Sequence, residues 1–146
     1  MNGIAPAGPR VLPALTDENR AFYTGGREGR LMVGRCRVCR RWALPPEASC
    51  PSCGGELCPE AVSGRARVMT WTLNAHPYHP EIPPPYLIAI VVLEEQEDLR
   101  LATNLVGCEE ADVHGGMEVA VAFEDRGEVF YPVFTPARPV GPAGAE

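Results

Sequence analysis

The sequence predicts a mainly β protein in which a metal-held ribbon is followed by a small five-stranded antiparallel barrel. Two observations predict this. Cys36-Arg-Val-Cys39 is followed after ten residues by Cys50-Pro-Ser-Cys53. Beyond residue 60, five short segments then alternate or run apolar in strand fashion, with turn signals between them.

Two Cys-x-x-Cys pairs on a short loop are the ligand pattern of a four-thiolate zinc ribbon. Each pair forms a tight knuckle, and Gly54-Gly55 after the second lets backbone N–H groups turn back onto the sulfurs. The expected ligands are Cys36, Cys39, Cys50 and Cys53, with iron and disulfides as the disfavoured alternatives. A tetrahedral site filled by four cysteines leaves no open position, so the metal is read as structural. A loop this short buries too little apolar surface to fold alone, so metal binding is its folding free energy. Cys58 and Cys108 stand outside the pattern and read as small packed hydrophobes.

The other elements follow in order. Residues 1–15 carry three prolines and no period, and read as an extended arm. Thr16-Asp17 is a helix start, and the helix runs with Phe22 and Tyr23 to about Arg27 near Gly25-Gly26. Leu31 to Val33 leads as a strand into the first knuckle. Trp42 to Pro46 crosses between the knuckles, where Pro45 and Pro46 forbid a helix and Trp42 is expected over the metal loop. Residues 64–73 alternate as a strand, and Tyr86 to Leu93 reads as a strand buried on both faces. Leu99 to Val106 is its hairpin partner across an acidic turn, Glu94 to Asp98, read as solvated. Gly116 to Glu124 alternates, and Val129 to Phe134 closes the sheet with Pro132 at an edge or strand end. Five such strands suit a small antiparallel barrel. An oligonucleotide/oligosaccharide-binding barrel has that count, though pattern alone leaves another barrel or a sandwich open.

Of the 146 residues, 13 are basic, all of them arginine, and 19 are acidic, for a net charge of −6. Most of the basic residues precede residue 68 and most of the acidic ones follow it. An acidic barrel repels phosphate backbones, which weighs against nucleic acid. Arginines clustered at one knuckle suit a compact polyanion, or an acidic patch on another protein. No apolar run reaches the ~18 residues of a membrane span, so a soluble, cytoplasmic location is expected.

The chain lacks a glycine-rich phosphate loop. His76 and His79 lie in the proline-rich stretch 76–85 and His114 in a turn. Pro77 and Pro80 stiffen the loop but give no sign of a nucleophile or carboxylate set to orient His76 or His79, so no catalytic residue is expected. That stretch suits recognition at a barrel rim, with Tyr78 as an interface anchor. Tyr86 reads as the inward-facing start of a core strand.

The order of these features resembles the DUF35 family. The matching segments are Leu31-Met-Val-Gly-Arg-Cys36, Pro45-Pro46, Val62-Ser-Gly-Arg-Ala-Arg-Val68, Thr70-Trp-Thr72, Pro83-Pro-Pro-Tyr86 and Leu101-Ala-Thr-Asn-Leu-Val-Gly107. They run in order between about Phe22 and Phe134. Arg40 departs from the pattern, standing where a glycine is common. The resemblance implies a rubredoxin-like zinc ribbon and an OB-fold, divided as arm and helix 1–30, ribbon 31–60, OB-fold domain 61–140 and tail 141–146. It also implies a non-catalytic accessory subunit, required beside a thiolase-superfamily enzyme that processes acyl-CoA: a thiolase, an acyltransferase or a thiolase-like aldolase. Some relatives assist a hydratase. Acyl-CoA is then the expected ligand of the complex, and Arg35, Arg37, Arg40, Arg41, Arg65 and Arg67 are the candidate contacts for its phosphates. A free-standing nucleic-acid or nucleotide binder is the alternative, and an assembly factor that touches no ligand is a third reading.

Overall fold

A computed structural model describes residues 12–75 and 86–137 in full, with the backbone of Gly3–Ile4. Nine strands form two sheets: β1 (Gly3–Ile4), β2 (Leu31–Cys36), β3 (Trp42–Ala43), β4 (Leu57–Val62), β5 (Arg65–Asn74), β6 (Tyr86–Leu93), β7 (Arg100–Leu105), β8 (Glu118–Arg126) and β9 (Val129–Pro136). The ribbon is the three-stranded sheet β3-β2-β4. The second sheet closes on itself in the order β5-β6-β7-β9-β8-β5, with β7 and β9 parallel and the other pairs of that ring antiparallel. This is the five-stranded barrel of the OB type, and the parallel pairing excludes a simple meander. β1 adds to β8 where β5 has departed, pairing Gly3 with Phe123 and Ile4 with Glu124.

The expected strands form, with ends shifted by up to three residues, and β1 and β4 add to them. β6 differs in burial. Leu87, Ala89, Val91 and Leu93 are buried, while the alternate residues, Tyr86 among them, are half-buried. The inward row is therefore the odd-numbered one, and Tyr86 stands on the outer face. A bulge at Met69 shifts the β5 register between Val68 and Thr70. Inward positions thus pass from Ala66 and Val68 to Trp71, which packs against the core.

The N-terminal helix is shorter than its sequence signal. Residues 17–19 form a turn in which the Thr16 N–H donates to Asn19 Oδ1 at 2.7 Å and the Asn19 N–H to Thr16 Oγ1 at 3.2 Å. Helix α1 then spans Arg20–Thr24, and a tighter 3-10 turn covers Gly25–Glu28. The cap signal at Thr16 is real, but Gly25-Gly26 tightens the chain after little more than a turn. At Gly26 a Cβ would lie 2.6 Å from the Phe123 ring, so only glycine lets this turn rest on β8 and β9. Phe22, Leu31, Val33 and Val62 join the barrel's Val68, Val91, Phe123 and Phe134 in one continuous core. Helix, ribbon root and barrel thus hold fixed positions relative to one another. No helix among the described residues is long and apolar enough to cross a membrane.

Candidate functional site: a four-sulfur centre and its arginine surround

The two knuckles are near repeats of one another. Arg40 N–H donates to the Cys36 carbonyl at 3.1 Å, and Gly54 N–H to the Cys50 carbonyl at 2.9 Å. Each turn needs a left-handed residue after its second cysteine. Gly54 has φ 79° and Arg40 φ 67°, the one non-glycine with positive φ among the described residues. Gly55 lies so close to the centre that a Cβ there would stand 2.8 Å from Cys36 Sγ.

All four sulfurs lie within 4.8 Å of one another. Cys36 and Cys53 are 3.5 Å apart and Cys39 and Cys50 3.7 Å. A tetrahedral metal with ~2.3 Å bonds to sulfur separates its ligands by about 3.8 Å, so the donor set fits such an ion. The N–H groups of Val38 and Cys39 point at Cys36 Sγ at 3.3 and 3.4 Å, and that of Ser52 at Cys50 Sγ at 3.4 Å. The backbone donor from Cys39 is the main cause that draws the Cys36 thiol down to about 6, against the opposing push of burial. The N–H of Cys53 likewise lowers Cys50. At Cys53 the Gly55 N–H pulls downward, but the neighbouring sulfurs, Cys36 first, and burial outweigh it and hold the thiol at about 11. A cation among the sulfurs converts the crowding that raises Cys53 into a driving force for deprotonation.

The six candidate arginines do not converge on one point. Arg35 and Arg40 share Glu60, each at 3.6 Å. Arg35 also donates to the Arg40 carbonyl at 2.8 Å and covers the Trp42 ring at 4.7 Å. Trp42 is thus held beneath Arg35, packs against the core and has its backbone gripped by the barrel. Arg37 stands 3.9 Å from Glu56 and donates to Cys58 Sγ at 3.6 Å. Cys58 therefore has a cationic neighbour, which reading it as a packed hydrophobe omitted. Arg41 pairs with Asp98 at 2.6 Å. Arg65 and Arg67 point outward from β5, 3.8 Å from Glu94 and 3.7 Å from Glu118, and line a groove of about 750 Å³ with Gln96 and with the glutamates Glu94, Glu97 and Glu118. These pairs lie in reach of solvent, where screening leaves an ion pair weak.

The acidic turn between β6 and β7 proves to be the joint between the modules. Gln96 accepts from the Trp42 N–H at 2.9 Å and donates to the Trp42 carbonyl at 3.0 Å and to Asp98 Oδ1 at 2.9 Å. Glu95 accepts from the Ser63 N–H at 2.7 Å. No local pattern announces these contacts, which join residues 54 apart in sequence for Gln96 and 32 for Glu95. His76, His79 and Tyr78 lie outside the described residues. His114 is exposed in its turn, with Nδ1 3.2 Å from the Gly115 carbonyl.

Comparison with known proteins follows this division. The family model of the ChsH2 rubredoxin-like zinc ribbon domain matches residues 24–57, and that of the ChsH2 C-terminal OB-fold domain matches residues 59–124. A probable enoyl-CoA hydratase alpha subunit of Thermomonospora curvata is 34% identical over 136 residues, 92% of this chain and 42% of that protein. The chain thus spans under half of that relative. A DUF35 domain-containing scaffold protein of Methanocaldococcus jannaschii is 33% identical over 101 residues, 66% of this chain and 70% of the relative. Among solved structures, a chain of an Ltp2-ChsH2(DUF35) aldolase superposes with TM-score 0.75 at 34% identity, covering 86% of this chain and 99% of that one. A DUF35 protein of unknown function from Sulfolobus solfataricus shares the fold at TM-score 0.59 and 15% identity, over 82% of this chain and 85% of that one. A four-sulfur ribbon joined to an OB barrel, with relatives spanning both modules, makes this chain a member of the DUF35 family.

Proposed function

We propose that the protein is a non-catalytic subunit that docks on a thiolase-superfamily enzyme and helps to hold acyl-CoA. The observation that carries this reading is the likeness to the DUF35 chain of an aldolase complex along 99% of that chain. The relative named as a hydratase subunit points to acyl-CoA chemistry as well. In this reading Cys36, Cys39, Cys50 and Cys53 bind zinc, which sets the ribbon's shape and takes no part in the reaction. The division into arm and helix, ribbon, OB-fold domain and tail follows the same reading.

Among the six arginines, Arg65 and Arg67 are the strongest candidates for CoA phosphates. Their groove of about 750 Å³ falls within the ~300–1,000 Å³ of small-molecule sites, and guanidinium groups suit phosphate geometry. Arg35, Arg37, Arg40 and Arg41 supply further guanidinium groups along the ribbon, each beside a carboxylate. The test is purification of the tagged chain from its native cells, followed by acyl-CoA turnover of whatever complex is recovered. A thiolase-superfamily subunit in fixed ratio is expected. R65A/R67A then lowers turnover at least tenfold with metal content unchanged. Recovery of the chain alone refutes the accessory role, and unaltered turnover in the variant removes this groove from it.

A further inference from the structure

A second concave surface lies apart from the arginine groove, between helix α1 and the outer face of the ribbon. Its floor is apolar: Phe22 from α1, Met32 from β2, Leu44 after β3 and Leu57 from β4. Gly34, in the middle of β2, contributes no side chain, and a Cβ there would meet Leu57 at an ordinary 3.4 Å. The cleft is therefore open because the chain leaves it open, and steric need does not demand the glycine.

Its rim is acidic. Asp17 and Glu18 stand on one lip and Glu47 on the other, all three exposed. Among the described residues none of the three takes part in an ion pair, whereas each of the six arginines above already faces a carboxylate. The cleft carries three uncompensated negative charges above an apolar floor. Its volume is about 240 Å³. That lies below the ~300–1,000 Å³ of small-molecule pockets and matches one or two large side chains.

We infer that this cleft receives a segment of the partner protein in which apolar side chains seat on Phe22, Met32 and Leu57 while an adjacent arginine or lysine meets Asp17, Glu18 and Glu47. Charge complementarity selects a cationic segment, and the apolar floor accepts the aliphatic stem of the same side chain. The cleft offers no cation to the phosphates of CoA, whereas the other groove carries Arg65 and Arg67 among its glutamates, so the two concave surfaces divide the work: one holds ligand and the other holds enzyme. The inference rests on the accessory reading above and names the docking surface within it.

The test measures affinity between the zinc-loaded full chain and the thiolase-superfamily protein that co-purifies with it. D17K/E47K should weaken binding tenfold or more. E110K/E128K, an equal change of net charge at exposed positions elsewhere, should weaken it less than twofold. Gly34→Val, which fills the floor without altering charge, should also weaken binding, with circular dichroism and zinc content unchanged in every variant. Equal affinity for D17K/E47K and the parent overturns the docking surface and leaves the accessory reading standing. If no such protein binds the parent, the accessory reading fails, and a fluorescein-labelled peptide of alternating leucine and arginine decides the cleft. Saturable binding that D17K/E47K reduces tenfold sustains the cleft; its absence removes the cleft as well.

Discussion

Replacing Gln96 by alanine tests whether the turn between β6 and β7 fixes the ribbon on the barrel. The side chain makes two hydrogen bonds to the half-buried Trp42 backbone, at 2.9 and 3.0 Å. A net contribution of ~0.5–1.5 kcal/mol per bond gives about 2 kcal/mol for the pair. Losing both strands an N–H and a carbonyl of the two-residue strand β3, which has only β2 on its other side. Urea unfolding of the zinc-loaded protein reads the effect. With a slope of ~2 kcal/mol per M for a domain of this size, the midpoint should fall by about 1 M. Gln96→Glu should do no better than alanine. It has no donor for the Trp42 carbonyl, and it sets a second carboxylate beside Asp98 Oδ1, which lies 2.9 Å from the Gln96 amide nitrogen. A midpoint shift below ~0.2 M for both variants would show that water replaces the clamp, and would refute the assignment of this turn as the joint.

Other perturbations reach other parts of the molecule. Glu124 is 1% exposed and bonded to Arg126 at 2.9 Å, so Glu124→Ala should cost about 3 kcal/mol in the same unfolding assay by stranding a largely buried guanidinium. Gly54→Ala meets no atom within 4 Å yet should lose ~1–2 kcal/mol, because φ 79° is costly for any side chain. Arg40→Gly at the matching position should change stability by less than ~1 kcal/mol, since relief of φ 67° is offset by a more flexible unfolded chain. Burial, then the charge of Tyr131, raises Tyr23 above its usual 10.0; burial, then Asp112, raises Cys108 above 9.0. A raised folded value contributes stability that is complete below the ordinary value and is lost as pH rises through the folded one. Thermal midpoints should therefore decline above pH 9 and again above pH 10, and Tyr23→Phe should abolish the second decline.

The parts of the fold legible in the sequence are those written locally. Cysteine spacing marks the knuckles, and alternation marks β5 and β8 because one face of each meets the core. Tyr86 escaped this logic: the near-continuous apolar run from Tyr86 to Leu93 hides which parity points inward, and pairing of Ala89 with Trp71 decides it only in three dimensions. The strand order was equally hidden, because parallel pairing rests on the single register Leu105–Phe134. At the site, the sequence supplied the sulfurs and the arginines but none of the carboxylates that answer those arginines. Glu60, Glu94, Asp98 and Glu118 carry no signature of their partners. The acidic turn misled for a physical reason, since a solvated hairpin and a clamp have the same composition. Arg40 was visible as a departure from glycine, and its positive φ explains why glycine is common there.

The Gln96 clamp also has a thermodynamic reach beyond the surface it joins. It grips Trp42 in the ribbon that carries the four sulfurs, so an ion whose binding orders that ribbon would link metal occupancy to module docking. Linkage is reciprocal: whatever the ion adds to docking, docking returns to the ion. A clamp worth about 2 kcal/mol then bounds its effect on metal retention at roughly thirtyfold, at ~1.4 kcal/mol per tenfold. A hairpin of the barrel thereby serves as a remote determinant of how tenaciously four distant sulfurs keep their ion, and a partner that stiffens that hairpin would govern metal turnover without touching a cysteine.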